Sequence, residues 1–141
     1  MAGVDEAGRG PWAGPVVAAA VILRTSPLPV RIDDSKRLTR GARVRAFRVI
    51  LECAEVGIGI VCAEDIDQHN ILRATLRAMQ QALDDLPAPS DVVLVDGSVT
   101  PPMRIPCWPI VRGDQRSYVI ACASIVAKVV RDGLMEFYHQ L

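Results

Sequence analysis

Short apolar runs rich in valine and isoleucine alternate along this chain with segments whose apolar residues recur at helical spacing, and two of the runs close on an acid. Residues 2–5 and 15–23 read as strands because β-branched side chains dominate them and Gly-Pro punctuation lies between them. The second is expected in the interior of a sheet. Thr39 is placed to cap a helix running to about Glu52, since Val44, Phe47 and Leu51 recur at helical spacing and arginines occupy the other faces. Residues 56–61 return as strand. Over residues 70–86, Leu72, Leu76, Met79, Leu83 and Leu86 form one stripe, read as core, and Pro87 and Pro89 stop the helix. Residues 92–95 form a short buried strand ending at Asp96-Gly97, and residues 110–111 are a further candidate before Gly113-Asp114. From residue 118 to 141 the chain reads as helix, with small Ala121, Cys122, Ala123 and Ser124 allowing close approach to a sheet. Strands and helices in alternation predict a layered α/β fold, whose sites lie just beyond strand ends where loops converge.

At 141 residues, half of them apolar, the chain suits one domain with a sizeable core, and no repeat or linker divides it. Sixteen basic residues balance sixteen acidic ones, so net charge says nothing about nucleic acid or membrane and local clustering must decide. Cys53, Cys62, Cys107 and Cys122 lack C-x-x-C spacing and sit in apolar segments, so neither a zinc nor a disulfide framework is expected. No signal-like start precedes the first strand, and residues 16–23 are too few to cross a bilayer. A reducing cytoplasm and a monomer are the expectation.

Asp5 and Glu6 stand side by side at the end of the first strand, and the chain then bends through Gly8-Arg9-Gly10-Pro11. Carboxylate oxygens are the hard ligands that Mg2+ and Mn2+ prefer, and glycine lets a polymer backbone come close enough to share such ions. Asp5-Glu6 also fits a solvated strand end, Asp96 an Asx turn with Gly97, and Asp114 a helix cap, so the residues alone leave those alternatives open. Between Lys36 and Arg48 lie six cationic residues and no acid, either a solvated helix face or a strip for a phosphate backbone. Asp34-Ser35-Lys36 ahead of it offers a hydroxyl and an ammonium to phosphate oxygens. His69 and His139 have no partner at metal spacing and are assigned surface or packing roles.

Six blocks in order carry a resemblance to a known family. They are Gly3-Val4-Asp5-Glu6-Ala7-Gly8-Arg9-Gly10-Pro11, Asp34-Ser35-Lys36, the segment from Asn70 through Met79, Val95-Asp96-Gly97, Gly113-Asp114, and the segment from Ala121 through Asp132. Together they resemble bacterial ribonuclease HII, and Gly8-Arg9-Gly10 favours that family over the related ribonuclease HIII. The resemblance implies a ribonuclease H-like fold, a mixed sheet flanked by helices. It makes Asp5, Glu6, Asp96 and Asp114 the catalytic carboxylates of a two-ion Mn2+ or Mg2+ site. It gives Gly8, Arg9 and Gly10 the ribose 2'-hydroxyl to read, with Ser35 and Lys36 gripping phosphate.

The implied activity is endonucleolytic cleavage of the RNA strand of RNA/DNA hybrids, and of ribonucleotides embedded in duplex DNA, leaving 3'-hydroxyl and 5'-phosphate ends. Four like charges from distant parts of a chain tolerate one another only when cations neutralise them. Two ions there would activate a water and stabilise the departing oxygen in an in-line displacement, with no side-chain nucleophile. Family members continue past the final helix to a tyrosine that stacks at the RNA-to-DNA junction, a residue that Tyr138 does not match. Ser98 stands where the family commonly has asparagine. An inactive, nucleic-acid-binding remnant and a nucleotide-binding module stay open as alternatives, although the latter lacks Walker and dinucleotide glycine spacing. Adjacent strand residues face opposite ways, so the first strand is expected to end at Asp5 if Glu6 is to reach the same site.

Overall fold

In the computed structural model, which describes residues 1–9, 14–62 and 70–139, the β-branched runs form one five-stranded mixed sheet. Its strands are β1 (Ala2–Ala7), β2 (Val16–Leu23), β3 (Ala54–Val61), β4 (Val93–Asp96) and β5 (Cys107–Ile110), ordered β3-β2-β1-β4-β5. β1 and β2 pair antiparallel from Gly3↔Val21 to Ala7↔Val17, and β3 continues the antiparallel half from Leu23↔Ala54 to Val16↔Val61. β4 joins β1 in parallel through Ala2↔Val93, Gly3↔Leu94 and Val4↔Val95, and β5 extends the parallel half. β2 is interior, as its unbroken apolar composition requires. β5 starts earlier than its sequence suggests and contains Pro109, which is tolerated because β5 is an edge strand.

Among the described residues four α-helices accompany the sheet: α1 (Arg40–Cys53), α2 (Ile71–Asp84), the single turn α3 (Gly113–Arg116) and α4 (Tyr118–His139). The Thr39 hydroxyl accepts the Ala42 amide at 3.1 Å, so α1 begins on its expected cap. α2 packs on one face of the sheet, and α1 and α4 pack on the other. Ile120 and Ile125 of α4 are fully buried, each contributing about 2 kcal/mol of apolar transfer energy. Among the described residues no helix is long and apolar enough to cross a membrane.

The stripe of α2 is core at Met79, Leu83 and Leu86, which are all buried, but not at its first member. Leu72 is exposed and Leu76 half-buried, whereas Ala74, Thr75, Ala78, Met79, Ala82 and Leu83 are buried. The reason lies in β3, where a Cβ on Gly57 would sit 2.0 Å from the Ala82 carbonyl oxygen, and one on Gly59 would sit 1.9 Å from that of Ala78. Glycine in the strand and alanine on the helix bring the two backbones together, so the small residues face inward and the first leucine is turned out. α1 departs in the same way. Ala46 and Ile50 are buried and Leu51 is exposed.

Any side chain at position 59 meets helix backbone, which cannot rotate away as a side chain would. Gly59→Ala is therefore expected to cost about 3 kcal/mol, at the upper end of overpacking penalties, read as a lowered urea midpoint with an unchanged slope.

Candidate metal centre and nucleic-acid cleft

The parallel ladder between β1 and β4 stops at Val4↔Val95, so the next residue on each strand, Asp5 and Asp96, lies just beyond the last pair. β1 itself does not stop there. Asp5, Glu6 and Ala7 stay paired with Ala19, Ala18 and Val17 of β2, which corrects the expectation that the strand ends at Asp5. One carboxylate oxygen from each of Asp5, Glu6 and Asp96 nevertheless lies within 4.8 Å of the others. Alternation gives Asp5 and Glu6 opposite faces. With no β4 residue paired beyond Val4, both faces open there onto one space, and the longer glutamate spans the difference.

This convergence is electrostatically costly. Burial, then the charges of Glu6 and Asp96, push the Asp5 carboxyl well above the ordinary carboxylate range. Burial also raises Glu6, partly offset by its hydrogen bond with Asp5 and by Arg9, whose Nη1 lies 3.7 Å from Glu6 Oε1. Asp5 Oδ1 accepts the Glu6 amide at 2.8 Å, whereas Glu6 Oε2 is buried with no hydrogen-bond partner among the described residues. An orphaned buried carboxylate oxygen inside a knot of hard oxygen donors fits a Mg2+ or Mn2+ ion, which would satisfy the oxygen and neutralise the charge.

Asp114 stands outside this trio but on the wall of the same cavity. It lies within α3, and its backbone amide donates to Asp96 Oδ1 at 3.2 Å, tying α3 to the end of β4. Its carboxyl is raised by burial and by Asp96 and Asp34, with Lys36 pulling the other way. It is not a cap for the long helix. Ser117 fills that role, its Oγ accepting the Ile120 amide at 3.3 Å. Nor does Asp96 bond to its own turn: Gly97, at φ +112°, makes the bend, and its amide donates to Ile110.

The cavity has a volume of about 410 Å3, and Gly8, Arg9, Ser35 and Lys36 line it with the four acids, while Gly10 lies outside the described residues, as does His69. Ala7 lines it as well, as do Arg43 from the cationic strip and three residues that sequence did not single out for the site, Ser124, Lys128 and Arg131. Arg43 Nη1 donates to the carbonyls of Ser35 and Leu38, at 2.9 and 3.0 Å, and holds the Ser-Lys turn in place. The buried Ser124 hydroxyl donates to Ser35 Oγ at 3.0 Å, and Asp34 Oδ1 accepts the Lys36 amide at 3.1 Å. Ser124, Lys128 and Arg131 recur at i, i+4 and i+7 on α4, a polar stripe on an otherwise apolar helix and the signal that would have found them. The cationic strip is divided by the fold. Arg43 turns to the cleft, Arg40 pairs with Glu136 of α4, and Arg45 and Arg48 stay exposed.

A mixed sheet whose central strand and its parallel neighbour carry convergent carboxylates defines the ribonuclease H-like class. The ribonuclease H2 of Pyrococcus horikoshii OT3 shares this fold with a TM-score of 0.85 and 26% identity, covering 99% of this chain and 75% of its own. The sequence profile of the ribonuclease HII family matches residues 2–140, and the chain belongs to that family. The ribonuclease HII of Chelativorans sp. strain BNC1 is 54% identical over 137 residues, which are 96% of this chain and 54% of that protein. That of Syntrophus aciditrophicus strain SB is 54% identical over 141 residues, 99% of this chain and 66% of the relative. The chain thus spans between half and two thirds of the length of these relatives.

A carboxyl whose pKa rises on folding binds its proton more tightly in the native than in the unfolded state, so its contribution to stability falls as pH rises through the interval between the two values. Without divalent metal, this protein is expected to lose stability as pH climbs from the ordinary carboxylate range through the raised values of Asp5, Glu6 and Asp114. Asp5→Asn should flatten that slope and raise the neutral-pH melting midpoint in EDTA by several degrees. Melting curves that superimpose for wild type and variant across this range would contradict the assigned strain.

Proposed function

We propose that this chain carries the catalytic part of a divalent-metal-dependent endonuclease that cleaves the RNA strand of RNA/DNA hybrids and single ribonucleotides within duplex DNA. Membership of the ribonuclease HII family supports the reaction class. The observation that carries the reading is the convergence of Asp5, Glu6 and Asp96 oxygens at the floor of a cleft walled by cations, with a Glu6 oxygen buried and without a partner among the described residues. That arrangement suits a phosphodiester brought against bound dications and has no comparable use in a purely structural fold.

In this reading Asp5, Glu6 and Asp96 hold the ions, and Asp114 completes the site from α3. Bound there, a pair of Mg2+ or Mn2+ ions supplies Lewis acidity and a water activated at neutral pH, which suits hydrolysis to 3'-hydroxyl and 5'-phosphate ends. The residues of the chain then do the positioning. Ser35 and Lys36 grip phosphate from a turn that Asp34, Arg43 and Ser124 brace. Gly8, Arg9 and Gly10 bring backbone and guanidinium to the ribose, whose 2'-hydroxyl separates RNA from DNA. Arg9 also holds Glu6 from outside, with an ion pair that leaves one glutamate oxygen for metal.

Asp96→Asn keeps the shape and removes one charge from the ligand set. Loss of an outer-shell group around a metal already costs roughly tenfold to a hundredfold, so removal of a ligand is expected to lower cleavage of a single-ribonucleotide duplex by at least about a hundredfold. Wild-type cleavage by that variant with Mn2+ would sink the assignment. Lys36→Ala is expected to weaken binding evenly across sequences and to reduce the slope of log affinity against log salt by about one, as measured by anisotropy titration at several salt concentrations.

A further inference from the structure

The connection between β1 and β2 is gripped at both ends by α4. Gly8 has φ +102°, and a Cβ there would lie 2.3 Å from Arg131 Nε and 2.5 Å from the Pro15 carbonyl oxygen. Gly14 has φ +138°, and a Cβ there would lie 2.7 Å from Met135 Sδ and 3.0 Å from an Arg131 Nη. Arg131 Nε donates to the Pro15 carbonyl at 3.0 Å. The guanidinium therefore occupies the space that the two missing side chains leave, and bonds to the backbone where β2 is about to begin. One turn further on, Met135 fills the remaining gap against Gly14.

We propose that Arg131 is a positioning residue that sets the conformation of the glycine bend at Gly8-Arg9, and through it the fit of the scissile ribonucleotide. The inference rests on the nuclease reading above and adds to it a residue that reaches the reaction through the bend. Its anchor is rigid. Residues 119–127 of α4 are buried in the core, so the helix carries Arg131 as a fixed post. Arginine suits this task as lysine does not. Its planar fork donates through Nε to one carbonyl and keeps two Nη groups for Gly14 and the cleft, whereas an ammonium has a single centre and no fixed plane. Both glycines are needed for the same reason, since at positive φ and with the guanidinium against them no other residue fits.

The test compares wild type with Arg131→Lys, which keeps the charge and loses the fork. Hydrogen exchange at the Gly8, Arg9 and Gly14 amides is expected to accelerate about tenfold or more in the variant, with exchange at Val4 and Val95 in the sheet unchanged. Calorimetric titration with Mn2+ alone should match wild type, because the three carboxylates stand on β1 and β4. Cleavage of a single-ribonucleotide duplex should fall about tenfold to a hundredfold, more in kcat than in KM, as expected when reacting groups are misplaced by about an ångström. Wild-type exchange at the three bend amides would overturn the proposal, as would acceleration spread equally over Val4 and Val95, which would make Arg131 a general stabiliser. Absence of cleavage by the wild type would defeat the nuclease reading instead, and the exchange measurement would still decide the positioning role.

Discussion

The end of one hydrogen-bonded ladder organises this molecule. β4 pairs with β1 as far as Val4↔Val95, and the very next residues on the two parallel strands are aspartates. Had the pairing run on, Asp5 and Asp96 would face each other as ordinary cross-strand neighbours, a repulsive arrangement in a sheet interior. Because it stops, their carboxyls meet where the ladder ends, a Glu6 oxygen comes within the same reach, and α3 adds Asp114 from beyond β5. The apolar ladder behind them keeps four acids near one another against their repulsion. Burial first, and the neighbouring acids after it, raise the carboxyls of Asp5, Glu6 and Asp114.

α4 links core and cleft. Its first half is buried under β1, close enough that a Cβ on Gly3 would lie 2.6 Å from the Val119 carbonyl carbon. From Ser124 onward the same helix carries the stripe of Ser124, Lys128 and Arg131 along the cleft wall, and Ser124 meets Ser35 in a buried hydroxyl pair. A helix held by its apolar half presents its polar half at a fixed height above the convergent acids. Positioning and stability are thus two properties of one packed element, since a shift of α4 would move the cleft wall and the Ser-Lys turn together.

Much of this was legible beforehand. The positions of β1 to β4 followed from β-branched runs, α1 from apolar spacing behind a Thr39 cap, and α2 from apolar spacing with a proline stop. The mixed sheet flanked by helices agrees with what the resemblance implied. The stripe of α2 is core at Met79, Leu83 and Leu86 but exposed at Leu72, because periodicity reports which residues share a face and not where the buried face ends. Gly57 and Gly59 of β3 let the alanine side in, and a glycine in a strand carries no helical signal of its own. The same limit hid Arg43, whose side chain reads like its exposed neighbours Arg45 and Arg48 until the Ser-Lys turn supplies carbonyls for it.

By itself the sequence determined the kinds of element, their order, and the chemistry on offer: hard oxygen donors next to strand ends, a glycine bend, and hydroxyl and ammonium groups for phosphate. Those properties are local, set by side-chain type and backbone freedom over a few residues. The tertiary structure alone decided that β1 continues past Asp5 while its neighbour stops, that three carboxylates converge while Asp114 stands on the adjacent wall, and that Arg131 fills the space above Gly8. Each of those outcomes depends on where one ladder ends or how near two backbones come, distances between residues far apart in the chain that no local pattern encodes.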